Sequence, residues 1–83
     1  MSASDLTGDG LLIARVDKNR RETVAVALRS FKDHTFVDIR VNFLDGNQHR
    51  PTAKGVAIAP GKLAELIEAL RKAEVEARKL GLL

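Results

Sequence analysis

Eighty-three residues, 45% hydrophobic and 30% charged, describe a single small globular domain rather than a disordered chain. The lack of cysteine excludes a disulfide framework and a thiolate zinc site, and no apolar run approaches the roughly 18–20 residues that cross a bilayer. The formal charge of +3 is unevenly spread: residues 15–54 carry nine Lys/Arg against five Asp/Glu, whereas residues 1–14 carry two acids and no base, so the middle of the chain is the part suited to a polyanion.

In chain order, residues 1–10 are rich in Ser, Gly and Asp and are expected to form a flexible arm, not a signal peptide. Residues 11–83 are expected to be the folded domain. Leu11–Val16 is short and apolar and predicts a first strand, followed by the charged loop Asp17–Arg21. From Glu22 to Phe31, Val24, Val26 and Leu28 alternate with Ala25, Ala27 and Arg29, which predicts a strand with one apolar and one small or polar face. Lys32–His34 makes a tight connection. Thr35–Leu44 is a third strand, in which Val37, Ile39 and Val41 alternate with Asp38, Arg40 and Asn42. Asp45-Gly46-Asn47 is a turn. A short fourth strand is expected over Lys54–Ala59, with Pro51 marking an edge or an irregular start.

The period then changes. Pro60 suits a first helical turn, although Ala59 is a poor cap. Leu63, Leu66, Ile67, Leu70, Ala73, Ala77 and Leu80 recur at spacings of three and four and predict one apolar helix face. Glu68 with Lys72 and Glu74 with Arg78 are spaced for i,i+4 pairs, and Gly81 is placed to stop the helix. The expected fold class is α+β: a four-stranded antiparallel sheet followed by one C-terminal helix. The helix is expected to cover one sheet face, leaving the rest for a second copy of the chain or a ligand.

Catalysis finds little support. His34 and Asp38 share a strand face but lie about 13 Å apart, too far to hydrogen-bond. No metalloprotease, nucleophile-elbow or phosphate-loop motif occurs. The chain is therefore expected not to be an enzyme and to need no cofactor or metal. The set Arg29, Phe31, Lys32, His34, Arg40, Arg50 and Lys54 reads either as ordinary charges on a solvated sheet or as a surface for unpaired nucleic acid. For the latter, a ring stacks a base while cations meet phosphates. Phe31, beside Lys32 at a turn, favours the second reading. Phe43 has the parity of the core residues Val37, Ile39 and Val41, and only a bulge would swing it to the other face.

The strings Arg29-Ser30-Phe31-Lys32, Phe36-Val37-Asp38-Ile39-Arg40, Phe43-Leu44-Asp45, Arg50-Pro51 and Lys54-Gly55-Val56-Ala57-Ile58, followed by a Pro-led helix, resemble the transcriptional positive cofactor four family. The family comprises coactivators that bind single-stranded DNA. The resemblance spans roughly residues 11–80 and is closest to a compact prokaryotic-type member. It implies a homodimer joined largely through the helix, binding single-stranded DNA without sequence preference, with RNA or melted duplex as alternatives. Arg29, Phe31, Lys32, Arg40, Arg50 and Lys54 stand where the family uses basic or aromatic contacts. His34 stands where Lys is common, Phe43 where Trp is frequent, and Ala53 where a base is common. Arg20 and Arg21, in a loop longer than in eukaryotic members, are placed to compensate. A cytoplasmic, nucleoid-associated location in transcription or DNA maintenance follows from the same resemblance. The competing expectation is a protein-interaction scaffold of the transcription machinery with no DNA site of its own.

Overall fold

The computed structural model describes residues 10–83. The arm expected over residues 1–10 therefore lies, Gly10 apart, outside the described residues. Four strands, β1 (Leu11–Asp17), β2 (Glu22–Phe31), β3 (His34–Asp45) and β4 (Gln48–Ile58), form one antiparallel sheet in the order β1-β2-β3-β4. A 3-10 turn (Pro60–Lys62) leads into a helix, α1 (Leu63–Lys79). This is the α+β arrangement predicted from the alternation of residue types. Among the described residues no helix is long and apolar enough to cross a membrane.

Cross-strand partners share a face, so the register sorts the side chains into two sets. Val24, Val26 and Leu28 of β2 stand opposite Val41, Ile39 and Val37 of β3, and Ile39 and Val37 stand opposite Val56 and Ile58 of β4. The other face carries Thr23, Ala25, Ala27, Arg29 and Phe31 against Asn42, Arg40, Asp38, Phe36 and His34. The sheet curls around this polar face. Leu12 and Arg15 of β1, Ala25, Ala27 and Arg29 of β2, Asn42 of β3, and His49 and Pro51 of β4 all line one cavity of about 280 Å³ there. The small side chains of β2 let the two edge strands approach.

The fourth strand is longer than expected, running from Gln48 through Pro51 to Ile58. Proline is tolerated because β4 is an edge strand, where an absent N–H need remove no ladder bond. The irregularity lies just after it. Arg40 pairs with Gly55 and Asn42 with Pro51, so Thr52, Ala53 and Lys54 bulge out opposite Val41 alone. The Thr52 hydroxyl closes the bulge by donating to the Val41 carbonyl at 2.7 Å and accepting the Lys54 N–H at 3.1 Å.

The helix departs from expectation. It contacts the 3-10 turn before it, makes no comparable contact with any strand of its own sheet and buries no residue. Residues 59–62 are taken up by the short turn. Neither cap residue contributes a side-chain hydrogen bond, as Ala59 implied. The expected pairs Glu68–Lys72 and Glu74–Arg78 do not form. Lys62–Glu65 at 3.7 Å and Glu76–Lys79 at 3.4 Å are the helix's ion pairs among the described residues.

Candidate nucleic-acid interface

The β2–β3 connection is a two-residue turn in which Lys32 and Asp33 both take positive φ, 49° and 66°. Type I′ turns require this, because their twist matches that of the strands they join. Aspartate enters this region more readily than most residues, but lysine does not, so the turn carries strain at Lys32. The turn closes the Phe31–His34 pair and leaves Phe31 66% exposed. The Lys32 ammonium sits 5.5 Å from the ring centroid, within cation–π range. One hairpin tip thus offers a flat apolar ring and a positive charge side by side.

Behind the tip, the polar face is organised by Asp38. Its side chain is the largest fully buried one, with the residue only 2% exposed. Arg29 Nε donates to Oδ2 at 2.9 Å, and Arg40 donates through Nη2 to Oδ1 at 3.0 Å and through Nε to Oδ2 at 3.2 Å. Burial pushes the Asp38 carboxyl up, but the bonds from Arg40 and Arg29 outweigh it and hold the group below its ordinary value of 3.8. Arg40 is pushed up by the same carboxylate. The pair stays ionised, and two guanidinium groups share one carboxylate, which leaves a net positive charge on this face. Arg40 reaches further, donating through Nη1 to the Thr52 carbonyl at 2.8 Å.

The eight residues picked out by sequence do not form one cluster. Arg29, Phe31, His34 and Arg40 share the polar face, Lys32 lies in the adjoining turn, and Lys54 lies in the β4 bulge. Phe43 and Arg50 are cross-strand partners on the apolar face, at the opposite end of β3. The pairing of β2 with β3 is unbroken, and the bulge belongs to β4, so Phe43 keeps the parity of Val37, Ile39 and Val41. It is nonetheless 41% exposed, because it sits at the rim. With Leu44 and the loop residues Arg20 and Arg21 it lines an open depression. Asn19 bridges the loop backbone, accepting from the N–H groups of Arg21 and Glu22. The Arg21 carbonyl then accepts the Leu44 N–H at 2.7 Å. Arg50 is engaged with Asp45 at 2.6 Å on the surface.

Phe36 and Arg15, outside these eight, also lie on the polar face. Phe36 is the cross-strand partner of Arg29, and Arg15 walls the cavity of the polar face. Alternation alone assigns Phe36 to the charged face, since it shares the parity of His34, Asp38 and Arg40. No signal in β1 marks Arg15, because the β1–β2 register places it opposite Ala25.

Residues 16–69, from the end of β1 into the first turns of α1, match the family described as Transcriptional Coactivator p15 (PC4). The chain belongs to that family. Among solved structures, it is similar to BPSL1147, a PC4 homolog from Burkholderia pseudomallei K96243, seen in two crystal forms. The orthorhombic form superposes with a TM-score of 0.76 at 29% identity, covering 82% of this chain and 93% of that one. The tetragonal form gives 0.73 at 30% identity, covering 80% and 98%. No curated protein matches the chain. The PC4 assignment agrees with the resemblance in the β2–β4 strings.

Proposed function

We propose that this PC4-family protein is a homodimer that binds single-stranded DNA without sequence preference, in a role like that of a transcription coactivator. The observation that carries the reading is the β2–β3 tip. Phe31 is an exposed ring with an ammonium over it, held by a strained turn at the end of a face that bears Arg29, His34 and Arg40. Exposing a large ring and straining the backbone to do so both cost stability, and a stacking surface for an unpaired base accounts for the cost. The cations supply the sequence-independent part by displacing counterions from phosphates. Phe43 with Arg20 and Arg21 is the same combination at the other end of β3. Nine residue steps from His34 place it about 30 Å away and on the other face of the sheet, so it would meet a separate stretch of nucleic acid.

The homodimer is supported by apolar surface left uncovered on the sheet and on α1. This surface also bears on the scaffold alternative, and the probe that separates the two is nucleic acid. Fluorescence anisotropy of a labelled oligo-dT against a matched duplex, repeated across salt, tests the reading. Preferential binding to the single strand with affinity falling steeply with salt is expected. Phe31→Ala should lose about 1–3 kcal/mol of that affinity by removing a stacking platform. Equal affinity for duplex, or an unchanged Phe31→Ala, would leave the polar face without this role.

A further inference from the structure

We infer that Asp38 and Thr52 are positioning residues that set where Arg40 and Lys54 meet phosphate, an inference that rests on the nucleic-acid reading above. A fully buried acid is an odd component for a face meant to attract phosphate, since it cancels one of two arginine charges. What it supplies is geometry. The guanidinium is planar, so fixing some of its N–H groups fixes the rest. Among the described residues, Nε and Nη2 of Arg40 are spent on Asp38 and Nη1 on the Thr52 carbonyl. That leaves one N–H on each terminal nitrogen in a set direction. Donors ordered before binding lose less freedom when the ligand arrives.

The same bonds extend to Lys54. Thr52 begins the β4 bulge, and its hydroxyl holds both the Val41 carbonyl and the Lys54 N–H. An unbroken series of hydrogen bonds therefore runs from the Asp38 carboxylate through Arg40 and Thr52 to the backbone that carries Lys54. Gly55, the cross-strand partner of Arg40, makes room for it. A Cβ there would lie 3.1 Å from Arg40 Cζ and 2.7 Å from the Ile39 carbonyl oxygen. The bulge, the glycine and the buried acid are thus parts of one arrangement whose product is the placement of two cations.

Charge and geometry predict opposite signs. If Asp38 mattered only as a charge, Asp38→Asn would tighten binding to a polyanion. As a positioning residue its loss weakens binding, by about tenfold at fixed salt, in the range of couplings between contacting groups. The experiment is oligo-dT anisotropy with Asp38→Asn, Thr52→Val, Lys54→Ala and the Thr52→Val/Lys54→Ala double variant. Lys54→Ala is expected to cost severalfold in the wild-type background and close to nothing once Thr52 is valine. Asp38→Asn binding as well as or better than wild type, or Thr52 and Lys54 losses that simply multiply, would overturn the inference while leaving the single-strand reading intact. Wild type failing to bind oligo-dT at low salt would overturn both. If Asp38→Asn does not fold, the Thr52/Lys54 cycle decides alone.

Discussion

Lys32 and Asp33 occupy a conformation that L-residues avoid, and the neighbouring residues show why it persists: the turn that strains them also holds Phe31 out and Lys32 over its ring. The strain is separable from the fold. Replacing Lys32-Asp33 by Asn-Gly, the pair that type I′ turns favour, should raise stability by about 1–2 kcal/mol in chemical denaturation while weakening oligonucleotide binding through loss of the Lys32 charge. A stability gain without a binding loss would mean that the turn is merely a poor hairpin. Phe43 shows the opposite relation between residue and setting. Its side chain obeys the alternation of β3, and its exposure follows from standing where the sheet ends.

The elements carry their own start and stop signals to different degrees. The end of α1 is well determined. Gly81 at φ 74° donates its N–H to the Arg78 carbonyl at 3.1 Å, and the Leu82 N–H reaches the Ala77 carbonyl at 2.8 Å, the two bonds of a Schellman motif. Nothing lies near where a Cβ on Gly81 would stand, so Gly81→Ala tests backbone conformation alone. It should cost about 1 kcal/mol, read as a lower denaturation midpoint without a change in oligonucleotide affinity. The start of the helix is weaker, entered through a proline-led 3-10 turn with no side-chain cap. In β4, Pro51 pointed to an edge, but the bulge at Thr52–Lys54 depends on how Arg40 and Val41 of β3 meet it.

At the scale of the molecule, a 14.7 Å radius of gyration compares with about 11–12 Å for a compact chain of this length. The excess follows from a helix that stands off its sheet. Among the described residues only Ala25, Ala27 and Val37 are buried apolar side chains, while Ile67 is 45% and Leu70 is 59% exposed on the helix stripe. A core of three small side chains cannot hold a domain of this size, and apolar surface left open in this way is ordinarily covered by association. If the proposed homodimer forms through this stripe, Ile67→Glu with Leu70→Glu should leave a monomer in light scattering and lower the melting temperature by many degrees. A variant that stays dimeric would place the association surface off the helix stripe.

How much of this was legible from sequence depended on the range of the forces concerned. Alternation in β2 and β3, the apolar stripe of α1, the Asp45–Asn47 turn and the Gly81 stop are local, and a period or one backbone preference was enough to read them. The string around Phe31 likewise pointed to the hairpin tip that the fold exposes. The rest is set between strands. That Asp38 lies under two arginines, that Phe43 and Arg50 face away from Phe31, and that Arg15 stands opposite Ala25 are consequences of register, which no single strand specifies. Four strands followed by a C-terminal helix are already written in the chain, because side-chain period dictates secondary structure. That this helix stands off its own sheet is a tertiary outcome, because an apolar stripe shows that a face is to be covered but not by which surface.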